Sequence, residues 1–121
     1  MRALLDINVL LGLLDPDHAH HELAHEWARD GLTPGWASCA LTQNGFVRVI
    51  SQGAYPGDFS VPQAVAALRR ATADPRHEFF PCDIELTSPT IIADGILSPR
   101  QIIDRTVVAG ADDRHLTVLR P

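Results

Sequence analysis

Short apolar runs alternate with longer amphipathic stretches along this chain, and the alternation predicts its fold class. Strands are predicted at residues 3–6, 36–39, 78–82 and 115–119, with Pro81 indicating an edge position or a strand end for the third. Helices are predicted at residues 8–15, 17–30, 42–51, 60–72, 89–97 and 100–109. No hairpin dipeptide joins two strands. The pattern therefore predicts an α/β domain whose parallel sheet is covered by helices on both faces.

The first two helices carry predicted caps and a predicted buried stripe. Asp6 or Asn8 could cap the first helix, and Asp17 is a candidate cap for the second. On the second helix, Ala19, Leu23 and Trp27 recur at every fourth position, which predicts that this stripe faces inward.

Composition narrows the class of protein. The 121 residues, 45% of them hydrophobic, suit one compact domain spanning residues 1–121. A net charge of -5 argues against binding nucleic acid through bulk positive charge, but a metal-dependent nuclease builds its site from acids. Cys39 and Cys82 form no CxxC pair and are predicted to be reduced and buried. Since neither a signal peptide nor a membrane span is apparent, we expect a cytoplasmic protein.

Asp6 is the first candidate for a functional residue. In an open parallel sheet, ligands bind beyond the carboxyl ends of the strands, and Asp6 ends the first predicted strand. The alternative is that Asp6 only caps the helix that follows. The position alone leaves both interpretations open.

The sequence motifs around Asp6 favour a role in ligand binding over a role as a helix cap alone. LLDINVLL at residues 4–11 resembles the opening motif of PIN domains, and WASCALTQNGFVRVIS at residues 36–51 resembles the second block of VapC-type toxins of the mycobacterial branch. HEFFPCD at residues 77–83 and RQIID at residues 100–104 continue the likeness. The resemblance covers residues 1 to about 105. It implies a three-layer α/β/α PIN-like fold, with a central, mainly parallel sheet of about four to five short strands.

The same resemblance implies a function and partners. PIN ribonucleases of this type are Mg²⁺- or Mn²⁺-dependent endoribonucleases of toxin–antitoxin pairs. The implied partners are a cognate VapB-type antitoxin, an RNA substrate and a second copy of the chain in a homodimer, with no membrane.

The family's metal-binding acids can be carried over one residue at a time. Asp6 matches the first acid, and Asp104 matches the acid of the RQ(I/V)TD-type motif, although Ile103 stands where Thr is usual. Without the resemblance, Asp104 could be an exposed acid in an early helical turn. Asp6 and Asp104 are thus the predicted metal ligands.

The other two acids of the family pattern are missing. Gln43 stands in place of the usual Glu, and its neutral carbonyl could still bind a hard cation or a metal-bound water. The last acid usually ends the final strand, where this chain has Leu119, and residues 105–121 depart from the family as a truncated or shifted reading frame would. Two acids could hold one metal ion more readily than two metal ions, so we expect weakened or conditional RNA cleavage. The alternative is a degenerate PIN module that binds antitoxin or RNA without cleaving efficiently.

A competing motif lies on the second helix. His21, Glu22 and His25 spell HExxH, in which two histidines one turn apart bind zinc and the glutamate activates water. The histidines lie opposite the Leu23 and Trp27 stripe and are predicted to face solvent. No third ligand stands out downstream. A zinc metalloprotease is therefore kept as a remote alternative.

Further polar and aromatic residues have two interpretations each. Asn8 could support the site from nearby, and Arg48 could meet an RNA phosphate or form an ordinary surface contact. Arg69 and Arg70 are predicted to form a solvated helix face. Tyr55 and Phe59 could stack on bases or fasten their loop to the core.

Overall fold

The computed structural model describes residues 2–81 and the strand Thr117–Leu119. In chain order the elements are β1 (Ala3–Leu5), α1 (Ile7–Leu14), α2 (His21–Gly31), β2 (Trp36–Ser38), α3 (Ala40–Ile50), α4 (Val61–Thr72), β3 (His77–Phe79) and β4 (Thr117–Leu119). The helices predicted at residues 89–97 and 100–109 lie outside the described residues. Within the described ranges, no helix combines the length and the apolar character needed to span a bilayer.

The four strands form one parallel sheet in the order β3-β2-β1-β4. Leu4 pairs with Ala37 on one side and with Val118 on the other, so β1 is a central strand. Of the two alternatives that Pro81 left open, an edge position or a strand end, the edge position is confirmed among the described strands, where β3 pairs with β2 alone. The parallel α/β architecture predicted from the alternation of strands and helices is also confirmed.

The strands β1 and β2 are buried on both faces of the sheet, and their alternate residues point to opposite sides. Ala3, Leu5 and Trp36 join the larger core, which contains Leu10, Phe46, Ile50 and Leu68 from the helices. Leu4 and Ala37, each 0% exposed, belong to a second cluster with Cys39 and Phe80. Burial on both sides explains why β1 is uniformly apolar, whereas β3, which is largely exposed, contains His77 and Glu78.

Side-chain caps begin two of the helices. Asp6 has an extended backbone and accepts a hydrogen bond from the backbone N–H of Ile7. Ser60 and Gln63 form a reciprocal capping box at the start of α4, with Pro62 in its first turn. These helix starts were predicted from the sequence.

The second helix departs from prediction at its start and in its faces. It begins at His21 rather than near Asp17, since the Asp15 carboxylate accepts from the Asp17 N–H and holds these residues in a turn. The predicted inward stripe is wrong: Leu23 is 65% exposed and Trp27 is 38% exposed. Ala24 and Ala28 are half-buried instead, and Ala28 packs against the larger core.

The long loop at residues 53–60 is fastened to the end of α1 by one hydrogen bond. The Tyr55 hydroxyl donates to Asp15 Oδ2 at 2.6 Å, and the tyrosine ring also meets Phe59 edge to face. Asp15 is only 3% exposed. Tyr55 therefore fastens its loop to the core, which is one of the two roles that the sequence analysis considered for it.

We expect the single tyrosine of the chain to titrate far above the ordinary phenol range. Burial, the hydrogen bond to Asp15 and the charge of that carboxylate raise the pKa of Tyr55. A raised pKa in the folded state gives stability that is full below the unfolded pKa of about 10 and is lost at higher pH. Ultraviolet absorbance of the phenolate measures this titration directly. A normal tyrosine titration in folded protein would contradict it.

The variant Tyr55→Phe should lower the free energy of unfolding by about 2 kcal/mol, because a hydrogen bond to a buried carboxylate is lost. Urea denaturation measures the change. Phe59→Leu is a control that leaves the Asp15 bond in place and should not alter the tyrosine titration.

A close approach between α1 and α3 sets the geometry of the sheet edge. A Cβ added at Gly45 would collide with Ile7 Cδ1 and lie 2.8 Å from Ile7 Cγ1. Only glycine leaves room for the isoleucine at this crossing. Since Ile7 follows Asp6 and Gly45 lies two residues after Gln43, the crossing holds the two helix starts in register.

We therefore expect Gly45→Ala to destabilise the fold by about 1–3 kcal/mol through overpacking. In Ile7→Ala/Gly45→Ala the added methyl has room, so the double variant should be more stable than the sum of the two single changes. Denaturant unfolding of all four proteins measures the coupling. Strict additivity would show that the two residues do not meet.

Candidate functional site

The carboxyl ends of β1, β2 and β3 meet at one edge of the sheet, where Asp6, Cys39 and Phe80 follow the last strand residues. Leu4 pairs with Ala37, so Asp6 and Cys39 come two residues later at matching positions. The helices α1 and α3 begin directly after these residues. Their first turns, with Asp6 and Gln43, are thereby brought to the same edge of the sheet.

Asp6 acts as a helix cap in this structure. Its Oδ1 accepts from the backbone N–H of Ile7 at 2.6 Å, and the residue is half-buried. A carboxylate offers about four lone-pair sites on two oxygens, so one capping bond does not exhaust its capacity to accept. The two interpretations of Asp6, cap and metal ligand, are compatible.

Gln43 is tied to the sheet through a chain of hydrogen bonds. Its Nε2 donates to Ser38 Oγ at 2.8 Å, and Ser38 Oγ lies 2.7 Å from Nε2 of His77 on the edge strand β3. Ser38 is fully buried, and the ring of His77 also contacts the ring of Trp36 in a tilted arrangement, with the ring centroids 4.4 Å apart. Ser38 and His77 were missed by the sequence analysis, since their contact depends on the pairing of β2 with β3.

An open groove lies beside Gln43, between α3 and α4. Its volume is about 280 Å³, and it is lined by Gln43, Asn44, Val47, Val65, Leu68, Arg69 and Thr72. Arg69 was predicted to belong to a solvated face. It is exposed as predicted, but it also borders the same groove as Gln43. The groove was not predicted, because the sequence could not show which helix α4 would pack against.

The remaining site predictions have different outcomes. Asn8 is exposed in the first turn of α1, and Arg48 is exposed in the last turn of α3, at the opposite end from Gln43. Arg48 forms no ion pair with the part of the chain that the structure describes. Asp104 lies outside the described residues, as does Cys82. Cys39 is buried and free, as predicted.

The oxygen donors at this edge fit a hard divalent cation. A carboxylate from Asp6 and an amide from Gln43 are ligand types that Mg²⁺ accepts, and Mg²⁺ needs few protein carboxylates because it keeps several waters. Within residues 2–81, no three His, Cys, Asp or Glu side chains come close enough to hold a metal ion.

The HExxH histidines bind the end of α1, so the prediction that they face solvent holds only in part: His25 is exposed, whereas His21 is half-buried. His21 Nδ1 donates to the carbonyl of Gly12 at 2.8 Å, and His25 Nε2 donates to that of Leu13 at 2.9 Å. These carbonyls lie in the last turn of α1 and have no partner within their own helix. The motif thus closes a helix end, a role that accounts for its spacing of one turn.

Comparison with known proteins identifies the family. No family model matches the chain. Ribonuclease VapC44 of Mycobacterium tuberculosis is 50% identical and is matched over 97% of this chain and 85% of its own length. Ribonuclease VapC39 of the same organism is 33% identical over 90% of this chain and 80% of its own.

A solved structure supports the fold. It is the crystal structure of Mycobacterium tuberculosis VapC20, described as a toxin that cleaves the sarcin–ricin loop. It matches with a TM-score of 0.68 and 13% identity, over 94% of this chain and 84% of the other. The three-layer PIN-type fold implied by the sequence is thereby confirmed. With half of its residues identical to VapC44 over nearly its whole length, the chain belongs to the VapC family of ribonucleases.

Proposed function

We propose that this protein is a Mg²⁺- or Mn²⁺-dependent endoribonuclease, the toxin of a toxin–antitoxin pair, with Asp6 and Asp104 as its metal ligands. The observation that carries the proposal is the position of Asp6, which follows the central strand and begins α1 at the same sheet edge as Gln43. Membership of a ribonuclease family supplies the reaction class.

The chain's own residues would divide the work at this edge. Asp6 and Asp104 would hold the cation, and Gln43 would hold a metal-bound water or the cation itself through its carbonyl oxygen. A bound cation would polarise the phosphoryl oxygen and lower the pKa of the attacking water. Asn8 and Arg48 are exposed side chains on the same two helices, and Arg48 is the one with a charge suited to an RNA phosphate.

Arg69 adds a feature that the sequence did not predict. It borders the groove that starts at Gln43, and it is exposed. A guanidinium there could pair with a phosphate of the RNA backbone as it leaves the sheet edge. Because the groove is lined by both Gln43 and Arg69, an RNA strand lying in it would meet a positively charged side chain despite the net negative charge of the protein.

The partners of the proposed toxin follow from its family. We propose that the protein binds a cognate VapB-type antitoxin, which is a separate chain, and that two copies of it form a homodimer. Co-expression with the antitoxin should restore growth of cells that the toxin alone arrests.

Asp6→Ala should reduce metal-dependent RNA cleavage by about a hundredfold or more, because a lost ligand removes several kcal/mol of transition-state stabilisation. Asp104→Ala should have a similar effect. Cleavage of a labelled RNA in Mn²⁺ measures both, and chelation should abolish activity in the wild type. Glu26→Gln, on the exposed face of α2, is the matched control and should change nothing. Full activity of Asp6→Ala would refute the metal site.

Gln43 favours a second candidate, a module that binds antitoxin or RNA but cleaves poorly. A neutral amide at this position removes a charge that would help to hold a cation. Gln43→Glu should therefore raise cleavage by about tenfold or more at equal Mn²⁺. If the wild type is inert and Gln43→Glu is active, the binding module is the better description. A wild type as active as a relative with all four acids would contradict weakened catalysis.

A further inference from the structure

Three side chains from three different elements form one hydrogen-bond chain. Gln43 of α3, Ser38 of β2 and His77 of β3 are joined by contacts of 2.8 Å and 2.7 Å through the Ser38 hydroxyl. Ser38 is 0% exposed, so its hydroxyl has no access to solvent water. A buried hydroxyl needs protein partners, and these two contacts provide both an acceptor and a donor for it.

The direction of each bond follows from the groups involved. The amide nitrogen of Gln43 can only donate, so Ser38 Oγ accepts from it. The hydroxyl hydrogen then remains for His77, whose Nε2 must be the unprotonated nitrogen. Burial lowers the pKa of His77, against the opposing charges of Asp74 and Glu78, so the ring is neutral at neutral pH. Its single proton therefore lies on Nδ1.

This direction determines how Gln43 presents itself. The oxygen and nitrogen of an amide lie on opposite branches of one planar group, so a committed Nε2 turns Oε1 away from Ser38. Oε1 is the atom that can bind a cation or accept from a water. If the amide were reversed, its NH₂ group would face that space and repel a cation.

We propose that Ser38 and His77 are positioning residues that hold the Gln43 amide in one orientation, with its carbonyl oxygen available at the sheet edge. The value of that orientation to catalysis rests on the proposed function. The hydrogen-bond chain itself does not. A carboxylate at position 43 would have no hydrogen to donate, so it would accept from Ser38 and reverse the chain, drawing the His77 proton to Nε2.

Nuclear magnetic resonance of the imidazole nitrogens tests the direction of the chain without any metal or RNA. At neutral pH, wild-type protein should carry the His77 proton on Nδ1, and Gln43→Glu should carry a proton on Nε2. A structural packing role for His77 would not produce this change. The proposal is overturned if wild-type His77 is protonated on Nε2, or if Gln43→Glu leaves the tautomer unchanged.

Three variants test the positioning role. Ser38→Ala should shift the side-chain amide resonances of Gln43 towards those of a free glutamine and weaken Mn²⁺ binding by about tenfold. His77→Leu removes the acceptor and should weaken Mn²⁺ binding, whereas His77→Gln keeps an acceptor near the Nε2 position and should restore it. Thermal unfolding of each variant checks that the fold is retained. Unchanged Gln43 resonances in Ser38→Ala would overturn the proposal.

These measurements separate this inference from the assignment of nuclease activity. If Asp6→Ala retains full cleavage, the proposed metal site fails, yet the His77 tautomer and the Gln43 resonances still support or overturn the positioning chain. If Asp6→Ala is inactive while Ser38→Ala binds Mn²⁺ like wild type, the nuclease assignment holds and the positioning role is wrong.

Discussion

The pairing of β1 on both of its sides is the constraint on which the rest of the structure depends. Its residues are 0–7% exposed and lie between β2 and β4 in a parallel sheet. A strand buried on both faces cannot slip by one residue without exchanging its two cores. Because β1 is fixed in this way, Asp6, which follows it directly, has a fixed position at the edge of the sheet. The crossing of α1 and α3 at Ile7 and Gly45 then places Gln43 at the same edge.

Position 43 illustrates how one neutral side chain changes its surroundings. The amide gains a donor that a carboxylate lacks, and Ser38 and His77 form a hydrogen-bond chain whose direction suits that donor. A carboxylate at this position would bring a negative charge to the sheet edge but no hydrogen to donate to Ser38. Charge and hydrogen-bond direction at position 43 are therefore coupled.

The histidines of α2 show a motif with a structural explanation. HExxH requires two histidines one turn apart, and that spacing also matches two successive carbonyls at the end of a neighbouring helix. His21 and His25 bind the carbonyls of Gly12 and Leu13, which would otherwise lack a partner within α1. This role also explains why α2 turns its polar face towards α1 and leaves Leu23 exposed.

The sequence by itself determined the α/β class, the order of the described elements and the family, because these depend on local patterns and motifs. It left the cap of α1 open between Asp6 and Asn8, and the structure assigns it to Asp6. The predicted inward face of α2 was wrong, since a prediction from the spacing of Leu23 and Trp27 assumes that large apolar side chains decide which face packs. The sequence could not reveal the Ser38–His77 contact or the shared groove of Gln43 and Arg69. Those contacts join residues distant in the chain, and only the pairing of β2 with β3 and the packing of α4 on α3 bring them within reach.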